Sequence, residues 1–118
     1  MTGKAKILVV EDDALIAMEL EERLGEMGYE VIGPALSLAA ADALLDGARP
    51  DAALLDANVA GHSSVELGAR LVGLGVRVAF CTGYDAIKNL PPELANALIL
   101  TKPVGDADLR AALKQLAG

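Results

Sequence analysis

Residues 54–61, Leu-Leu-Asp-Ala-Asn-Val-Ala-Gly, decide the fold that we expect of this chain. The apolar run at residues 52–55 has the character of a buried strand. It delivers the carboxylate of Asp56 into a loop that begins at Ala57 and contains Gly61. A carboxylate in that position lies at the carboxyl end of a strand, where open α/β sheets bind their ligands. We therefore predict that Asp56 belongs to a functional site.

Four other segments also have the apolar character of strands, and helical patterns separate them. These predicted strands are residues 5–10, 30–34, 76–81 and 97–101. Five strands that alternate with about five helices predict right-handed crossovers and a three-layer, doubly wound parallel α/β sheet covered on both faces. A chain of 118 residues is expected to form one domain, residues 1–118, without an output domain.

Apolar residues recur at helical spacing in three segments, so each segment is predicted to be an amphipathic helix. The stripes are formed by Ile16, Leu20, Leu24 and Met27, by Leu67, Leu71 and Leu74, and by Leu109, Leu113 and Leu116. The first of these helices is predicted to end at Gly28 and the second at Gly75.

Small polar residues that favour helix starts precede the predicted helices. Ser37 is predicted to cap a helix that runs to Leu45 and stops at Gly47, Ser63 and Glu66 have the spacing of a capping box, and Asp106 is predicted to cap the last helix. Residues 82–95 are expected to hold at most a turn or two of helix on each side of Pro91-Pro92, because proline interrupts a helix.

The composition excludes several classes of function. No apolar run approaches the roughly 18 residues of a membrane helix, and the first residues lack the apolar core of a secretory signal, so we expect a cytoplasmic protein without a membrane partner. A lone cysteine, Cys81, cannot form an internal disulfide. A net charge of −7, with one Phe, two Tyr and no Trp, argues against nucleic-acid binding.

Charged or hydroxyl side chains follow four of the predicted strands. They are Glu11, Asp12 and Asp13 after the first strand, Asp56 after the third, Thr82 after the fourth and Lys102 after the fifth. Each one alone is explained as a helix cap, a turn residue or a solvated charge, and Asp13 is the acid that we expect only to cap a helix. Their joint occurrence at one edge of a parallel sheet favours a common site.

This set of groups suits phosphoryl transfer that depends on a cation. Converging carboxylates repel one another, and a hard divalent cation such as Mg²⁺ relieves the repulsion. Asp12, with Glu11 behind it, is predicted to hold Mg²⁺, while Asp56 is predicted to be the carboxylate nucleophile. Lys102 supplies a positive charge, and Thr82 a hydroxyl group, for the phosphoryl oxygens.

Other catalytic chemistries lack the residues that they need. The single histidine, His62, cannot build a histidine-rich zinc site, and we expect it to be an exposed loop residue. Residues 61–65, Gly-His-Ser-Ser-Val, lack the final glycine of a G-x-S-x-G nucleophile elbow. The sequence also has no G-x-x-x-x-G-K-[ST] phosphate loop and no G-x-G-x-x-G motif after the first strand. Cys81 lies within an apolar strand and is predicted to be packed rather than reactive.

With these residues assembled, nearly the whole chain resembles the receiver domain of two-component response regulators. The matching motifs are Val9-Val10-Glu11-Asp12-Asp13, Leu54-Leu55-Asp56, Thr82-Gly83 and Thr101-Lys102-Pro103. The resemblance implies a flavodoxin-like sheet with the strand order 2-1-3-4-5. For individual residues it implies a phospho-acceptor at Asp56, a Mg²⁺ site of Glu11, Asp12, Asp56 and the backbone carbonyl of Asn58, a switch hydroxyl at Thr82, a phosphate-sensing Lys102 and a cis Lys102-Pro103 bond.

Two positions depart from the pattern that many receivers share. Many have a Met-Pro pair shortly after the phospho-acceptor, where this chain has Val59-Ala60. Many also have an aromatic switch residue three positions before the lysine, where this chain has Ile99, and Tyr84 is the candidate replacement. The run Phe80-Cys81-Thr82-Gly83-Tyr84 is similar to the Phe-Ala-Thr-Gly-Tyr signature of the single-domain "FAT GUY" regulators, which act in phosphorelays and stress signalling.

The resemblance implies a signalling domain that assists its own phosphorylation and dephosphorylation, rather than an enzyme. Asp56 would take phosphate from the phosphohistidine of a histidine kinase or a histidine phosphotransfer protein. A shift of the surface at residues 82–100 would then let the domain dock to a downstream regulator protein or pass the phosphate on.

Two alternatives to a phosphorylated receiver stay open at this point. One is a small phosphatase of the haloacid-dehalogenase type, because Asp56-Ala57-Asn58-Val59 is loosely similar to its D-x-D-x-[TV] motif. Against it, the second acid of that motif is here Asn58, and the nucleophile lies on the third strand. The other alternative is a receiver fold that serves as a docking module without phosphorylation.

Overall fold

Five parallel strands form the central sheet in the computed structural model, which describes residues 3–84 and 87–117. The strands are β1 Lys6–Val10, β2 Glu30–Ala35, β3 Ala52–Asp56, β4 Arg77–Thr82 and β5 Leu98–Thr101. The helices of the described residues are α1 Ala14–Glu26, α2 Leu38–Leu45, α3 Val65–Gly73 and α4 Asp106–Ala117. A short hairpin pairs Asn58–Val59 with His62–Ser63. None of these helices has the length and apolar character needed to cross a membrane.

The strand order β2-β1-β3-β4-β5 confirms the predicted flavodoxin-like, doubly wound sheet. All neighbouring strands are parallel, and the register pairs Val10 with Leu55, Asp56 with Cys81 and Thr82 with Thr101. The carboxyl ends of β1, β3, β4 and β5 therefore lie along one edge. The order reverses between β1 and β3, which is where sheets of this type open a ligand crevice.

Alternation along the strands builds a separate apolar layer on each face of the sheet. One layer contains Ile7 and Val9 of β1 with Leu24 of α1, and the other contains Leu8 and Val10 of β1 with Leu71 of α3. Because both faces are covered, the strands consist of nearly unbroken apolar runs, as the sequence indicated.

The predicted helix stripes are correct except at Ile16 and Leu74. Ile16 is 43% exposed, because the buried line of α1 runs through Ala17 and Leu24, and residue 16 is displaced by about 100° from residue 17 around the helix axis. Leu74 is 51% exposed, because α3 ends at Gly73 and Leu74 serves only as its C-terminal cap.

Two predicted caps are confirmed. The hydroxyl of Ser37 accepts a hydrogen bond from the Ala40 amide, and the carboxylate of Asp13 accepts bonds from the amides of Leu15 and Ile16. These bonds fix the first turns of α2 and α1. Asp13 thus has the capping function that we expected of it.

The other two cap predictions are wrong. The capping box fails because α3 begins at Val65 with Ser64 at the cap position, so Ser63 lies one residue too early. Asp106 is itself the first residue of α4, and its carboxylate accepts a bond of 2.8 Å from the Arg23 guanidinium. A side chain engaged in that ion pair belongs to the contact between α1 and α4.

In its described residues, the segment between β4 and β5 contains little helix, within the limit that we expected. Its described residues form one 3₁₀ turn, Pro92–Leu94, which follows an extended Pro91. The proline pair explains this, since proline lacks an amide donor and disfavours a helical residue before it. Residues 85 and 86, where the predicted helix near Tyr84 would continue, lie outside the described part of the chain.

Candidate functional site

Three carboxylates converge at the carboxyl edge of the sheet. Glu11 and Asp12 follow β1, Asp56 ends β3, and oxygens of all three lie within 4.8 Å of one another. Glu11 and Asp56 are only 3% and 8% exposed, whereas Asp12 is exposed. The structure thus brings together the acids that the sequence assigned to Mg²⁺, and oxygen ligands of this kind are those that Mg²⁺ takes in proteins.

Lys102 provides the positive charge that faces these acids. Its Nζ donates hydrogen bonds of 3.0 Å to Oδ2 of Asp56 and 3.2 Å to Oε1 of Glu11. Its backbone amide donates to the carbonyl of Thr82 at 2.7 Å, which fixes the end of β5 against the end of β4. The Lys102-Pro103 peptide bond is cis, as the resemblance implied.

The surroundings change the pKa of three of these groups. Burial raises the pKa of Glu11, even though the amide of Asp13 donates to its carboxylate. The amide of Ala60 donates a bond of 2.9 Å to Oδ2 of Asp12 and lowers the pKa of Asp12. Burial acts to lower the pKa of Lys102, but its bonds to Asp56 and Glu11 outweigh this and raise it. Asp12 and Lys102 are therefore both charged near neutral pH.

Ser64 is a site residue that the sequence analysis missed. Its hydroxyl is fully buried and donates a bond of 2.6 Å to the backbone carbonyl of Asp56. Its amide donates to the carbonyl of Ala57 at 3.0 Å, so the start of α3 is fastened to the end of β3. The buried positions Ser64, Leu67 and Leu71 recur at i, i+3 and i+7. This helical spacing is the sequence signal by which Ser64 could have been distinguished from its exposed neighbour Ser63.

The loop after Asp56 closes as a tight hairpin. Ala60 and Gly61 form its turn with φ values of +52° and +86°, and the side chain of Asn58 accepts a bond of 2.9 Å from the Gly61 amide. The amide of Asn58 lies 3.4 Å from Oδ1 of Asp56. His62 is exposed, as expected. The assignment of the Asn58 carbonyl to a metal ion stays a prediction.

The predicted switch residues differ in their surroundings. Thr82 is buried at the end of β4, and its hydroxyl accepts a bond of 3.2 Å from the amide of Tyr84. The Tyr84 side chain is 78% exposed. Ile99 is half-buried in β5, where it packs against the apolar layer that contains Phe80. Thr82 and Tyr84 are therefore linked through one hydrogen bond, while Ile99 is part of the packed sheet.

Cys81 lies close to these groups without presenting a thiol to solvent. It pairs with Asp56 in the sheet register and is 7% exposed. Burial raises the pKa of its thiol to about 12. Cys81 thus packs as a small apolar side chain, as the sequence indicated.

Comparisons with known proteins agree with this geometry. A family model described as the response regulator receiver domain matches residues 7–114. The positive alginate biosynthesis regulatory protein of Pseudomonas aeruginosa is 33% identical over 113 residues, which are 92% of this chain and 46% of that protein. Sporulation initiation phosphotransferase F of Bacillus subtilis is 30% identical over 114 residues, which are 93% of this chain and 91% of that protein.

A solved structure extends the similarity to the whole fold. The solution structure of SdrG from Sphingomonas melonis Fr1 superposes with a TM-score of 0.79 at 30% identity and covers 98% of each chain. In length, the present chain spans about half of the alginate regulator but nearly all of the sporulation phosphotransferase. The match is therefore to a single region of the longer relative.

Proposed function

Because this chain belongs to the response regulator receiver domains of two-component signalling, we propose that Asp56 accepts a phosphoryl group from a phosphohistidine. The observation that supports this most directly is the contact of Asp56 with Lys102 at the edge where Glu11 and Asp12 also lie. A buried carboxylate held by an ammonium group, with two further acids beside it, has the parts of an aspartyl-phosphate site.

The transfer exchanges one bond to phosphorus for another. A carboxylate oxygen of Asp56 forms the new P–O bond while the P–N bond of the phosphohistidine breaks, and the imidazole leaves with a proton from solvent. The ammonium group of Lys102 lies 3.0 Å from Oδ2 of Asp56, so it can pair with the phosphoryl oxygens as they arrive. We propose that the domain thereby assists its own phosphorylation and dephosphorylation, without turning over other substrates.

Mg²⁺ is the cofactor that we propose for this site. Glu11, Asp12 and Asp56 would hold it, and the backbone carbonyl of Asn58 would be a further oxygen ligand. When bound, the ion supplies positive charge to the oxygens of the transferred group. The three carboxylates already converge, so the donor set suits a hard divalent cation.

Thr82 is the residue that we propose to report phosphorylation. Its hydroxyl accepts the Tyr84 amide bond, and its backbone is fastened to Lys102. Movement of that hydroxyl toward a phosphoryl oxygen would release the Tyr84 amide and shift the exposed Tyr84 side chain. Ile99 is packed in the sheet, so the surface change would be carried by Tyr84 instead.

The partners that we propose are a histidine kinase or a histidine phosphotransfer protein upstream and a regulator protein downstream. An exposed apolar side chain of α1 lies beside the site, since Ile16 lines a groove together with Lys102 and Pro103. A phosphohistidine-bearing helix could occupy this groove.

We place the exchange in the cytoplasm, where the free thiol of Cys81 suits a reducing compartment. The similarity of residues 80–84 to the "FAT GUY" signature supports a function in a phosphorelay.

The two alternatives receive less support. A phosphatase of the haloacid-dehalogenase type needs a second acid where the exposed Asn58 uses its side chain to hold the hairpin turn. A docking module that acts without phosphate has no need of Lys102 in contact with two buried carboxylates. Neither alternative explains the set of strand-end residues as well as a receiver does.

Phosphorylation of an Asp56→Asn variant tests the proposal. Wild-type protein is incubated with Mg²⁺ and acetyl phosphate, or with a phosphorylated kinase, and intact mass is measured. One added phosphoryl group per chain is expected for the wild type and none for Asp56→Asn. Asp13→Asn is the matched control, because Asp13 lies beside the site but caps α1, and asparagine caps equally well. Unchanged labelling of Asp56→Asn would refute the assignment.

A further inference from the structure

The hairpin after Asp56 contains a backbone conformation that does not suit its residue. Ala60 has a φ of +52°, in the left-handed region that residues other than glycine adopt at a cost. Strain of this kind persists where the surrounding structure holds it, and it clusters at functional sites. The conformation of Ala60 therefore needs a structural reason.

The reason lies in what the Ala60 amide contacts. It donates a bond of 2.9 Å to Oδ2 of Asp12, which is 48 residues earlier in the loop after β1. On the other side of the turn, the Asn58 side chain holds the Gly61 amide. The hairpin thus reaches across the crevice and holds the exposed carboxylate of Asp12, which also shares a hydrogen bond with the side chain of Glu11.

The residue type at position 60 makes this bond possible. Proline has no amide hydrogen and fixes φ near −65°, so it could neither donate to Asp12 nor adopt the conformation seen at Ala60. The Val59-Ala60 pair, at the position where many receivers have Met-Pro, thereby gains a contact that a Met-Pro pair cannot make. A carboxylate has further lone pairs, so Asp12 can accept this bond and still bind a cation.

We propose that the Ala60 amide is a positioning group for the cation site. It holds the carboxylate of Asp12 toward Glu11 and Asp56 before the cation binds, which removes part of the ordering cost of binding. This inference rests on the proposed function, in which Asp12 is a ligand of Mg²⁺. The group acts through Asp12 and does not itself touch the ion.

Calorimetric titration with Mg²⁺, without any phosphodonor, tests the inference. Ala60→Pro removes the amide donor and is expected to weaken Mg²⁺ binding by up to about tenfold, the upper end of the cost of ordering one side chain on binding. Ala60→Gly keeps the donor and relaxes the backbone, so its affinity should stay within about threefold of the wild type. Ser63→Ala is the control, since it alters the same hairpin at an exposed residue whose hydroxyl accepts a hydrogen bond from the Val65 amide.

The outcomes separate this inference from the proposed function. Equal Mg²⁺ affinity of Ala60→Pro and wild type overturns the inference and leaves the phospho-acceptor assignment intact, whereas a wild type that binds no Mg²⁺ overturns both. If Ala60→Pro does not fold, hydrogen exchange of the Ala60 amide in the wild type decides. Protection that persists or increases with Mg²⁺ supports the inference, and loss of protection on Mg²⁺ binding overturns it.

Discussion

The ammonium group of Lys102 donates a hydrogen bond of 3.0 Å to Oδ2 of Asp56, and the two residues are 46 positions apart in the sequence. This contact joins the carboxyl ends of β5 and β3 across the intervening β4. Asp56 is almost fully buried, while the Lys102 side chain is about one-third exposed. The ion pair is therefore partly shielded from solvent, so removal of one partner would leave the other charge buried without compensation.

Replacement of Lys102 by methionine is expected to destabilise the fold. Glu11, Asp12 and Asp56 would then face one another without a cation, so the free energy of unfolding at pH 7 should fall by about 2–3 kcal/mol, since the pair is partly solvated. Urea unfolding without divalent cations measures this, and added Mg²⁺ should restore part of the loss. Lys114→Met, at an exposed position of α4, is the control. Equal stability of Lys102→Met and wild type would contradict the prediction.

Ser64→Ala is expected to loosen the join between β3 and α3. The substitution removes the hydroxyl that donates to the Asp56 carbonyl and leaves a buried acceptor without that partner. The cost should be about 1–3 kcal/mol by urea unfolding, whereas Ser63→Ala, at the exposed neighbour, should cost less than about 1 kcal/mol. If the two serine variants prove equally stable, the hydrogen bond from Ser64 to the Asp56 carbonyl contributes little to the stability of the fold.

Gly68→Ala is expected to destabilise the protein, although alanine normally favours a helix. A Cβ atom at position 68 would lie 2.6 Å from Cζ of Phe80, whose ring is fully buried. The overpacking cost of about 1–3 kcal/mol should exceed the gain of about 1 kcal/mol in helix propensity. Gly73→Ala in the same helix is the control, because among the described residues no atom beyond its chain neighbours and the backbone of its own helix lies within 4 Å of a Cβ there. A melting temperature of Gly68→Ala above that of the wild type would contradict the prediction, because it would show that the Phe80 ring can shift to accommodate the methyl group.

The thiol of Cys81 is expected to react only after unfolding. With its pKa raised to about 12, only about one molecule in ten thousand carries the thiolate at pH 8. A disulfide reagent should therefore modify the folded protein far more slowly than the urea-unfolded chain. The folded protein also keeps this proton where the unfolded chain loses it, so stability should fall as the pH rises above about 8.5. Rapid modification of native protein at pH 8 would refute the prediction.

Ile16→Ser is expected to slow phosphorylation by a protein donor but not by acetyl phosphate. Ile16 is 43% exposed and lines the groove beside Lys102, whereas a small phosphodonor needs no contact with that groove. Initial rates with a phosphorylated kinase and with acetyl phosphate should be measured for the same preparations. Leu74→Ser, at a comparably exposed leucine after α3, is the control. An equal loss with both donors would place the effect in the site rather than in docking.

Much of the fold follows from local patterns in the sequence, because the strands are nearly unbroken apolar runs and a charged or hydroxyl side chain stands at the end of four of them. The convergence of Glu11, Asp12, Asp56, Thr82 and Lys102 at one edge then follows from parallel strands. The wrong predictions for Ile16 and Ser63 are each displaced by one position in the sequence, and a displacement of one residue changes the direction in which the side chain points. Ile16 was placed on the buried face that belongs to Ala17, and Ser63 at the cap position that belongs to Ser64.

The contact between Ala60 and Asp12 could not be predicted from sequence spacing. It joins loops that are 48 residues apart, and it depends on a positive φ at an alanine, where propensity favours a negative one. Gly61 indicates a turn in the sequence, but the direction of the Ala60 amide is set only when the hairpin closes. Contacts of this kind are determined by tertiary structure.

The convergence of Glu11, Asp12, Asp56 and Lys102 has a consequence for the choice of ion. Three carboxylates and one ammonium group leave two formal negative charges in the crevice. One divalent cation cancels both of these charges, whereas a sodium or potassium ion leaves one of them uncompensated. The positive charge of Lys102 thus reduces the net negative charge of the site to the amount that a single divalent cation neutralises. No negative charge is left over to attract a second cation.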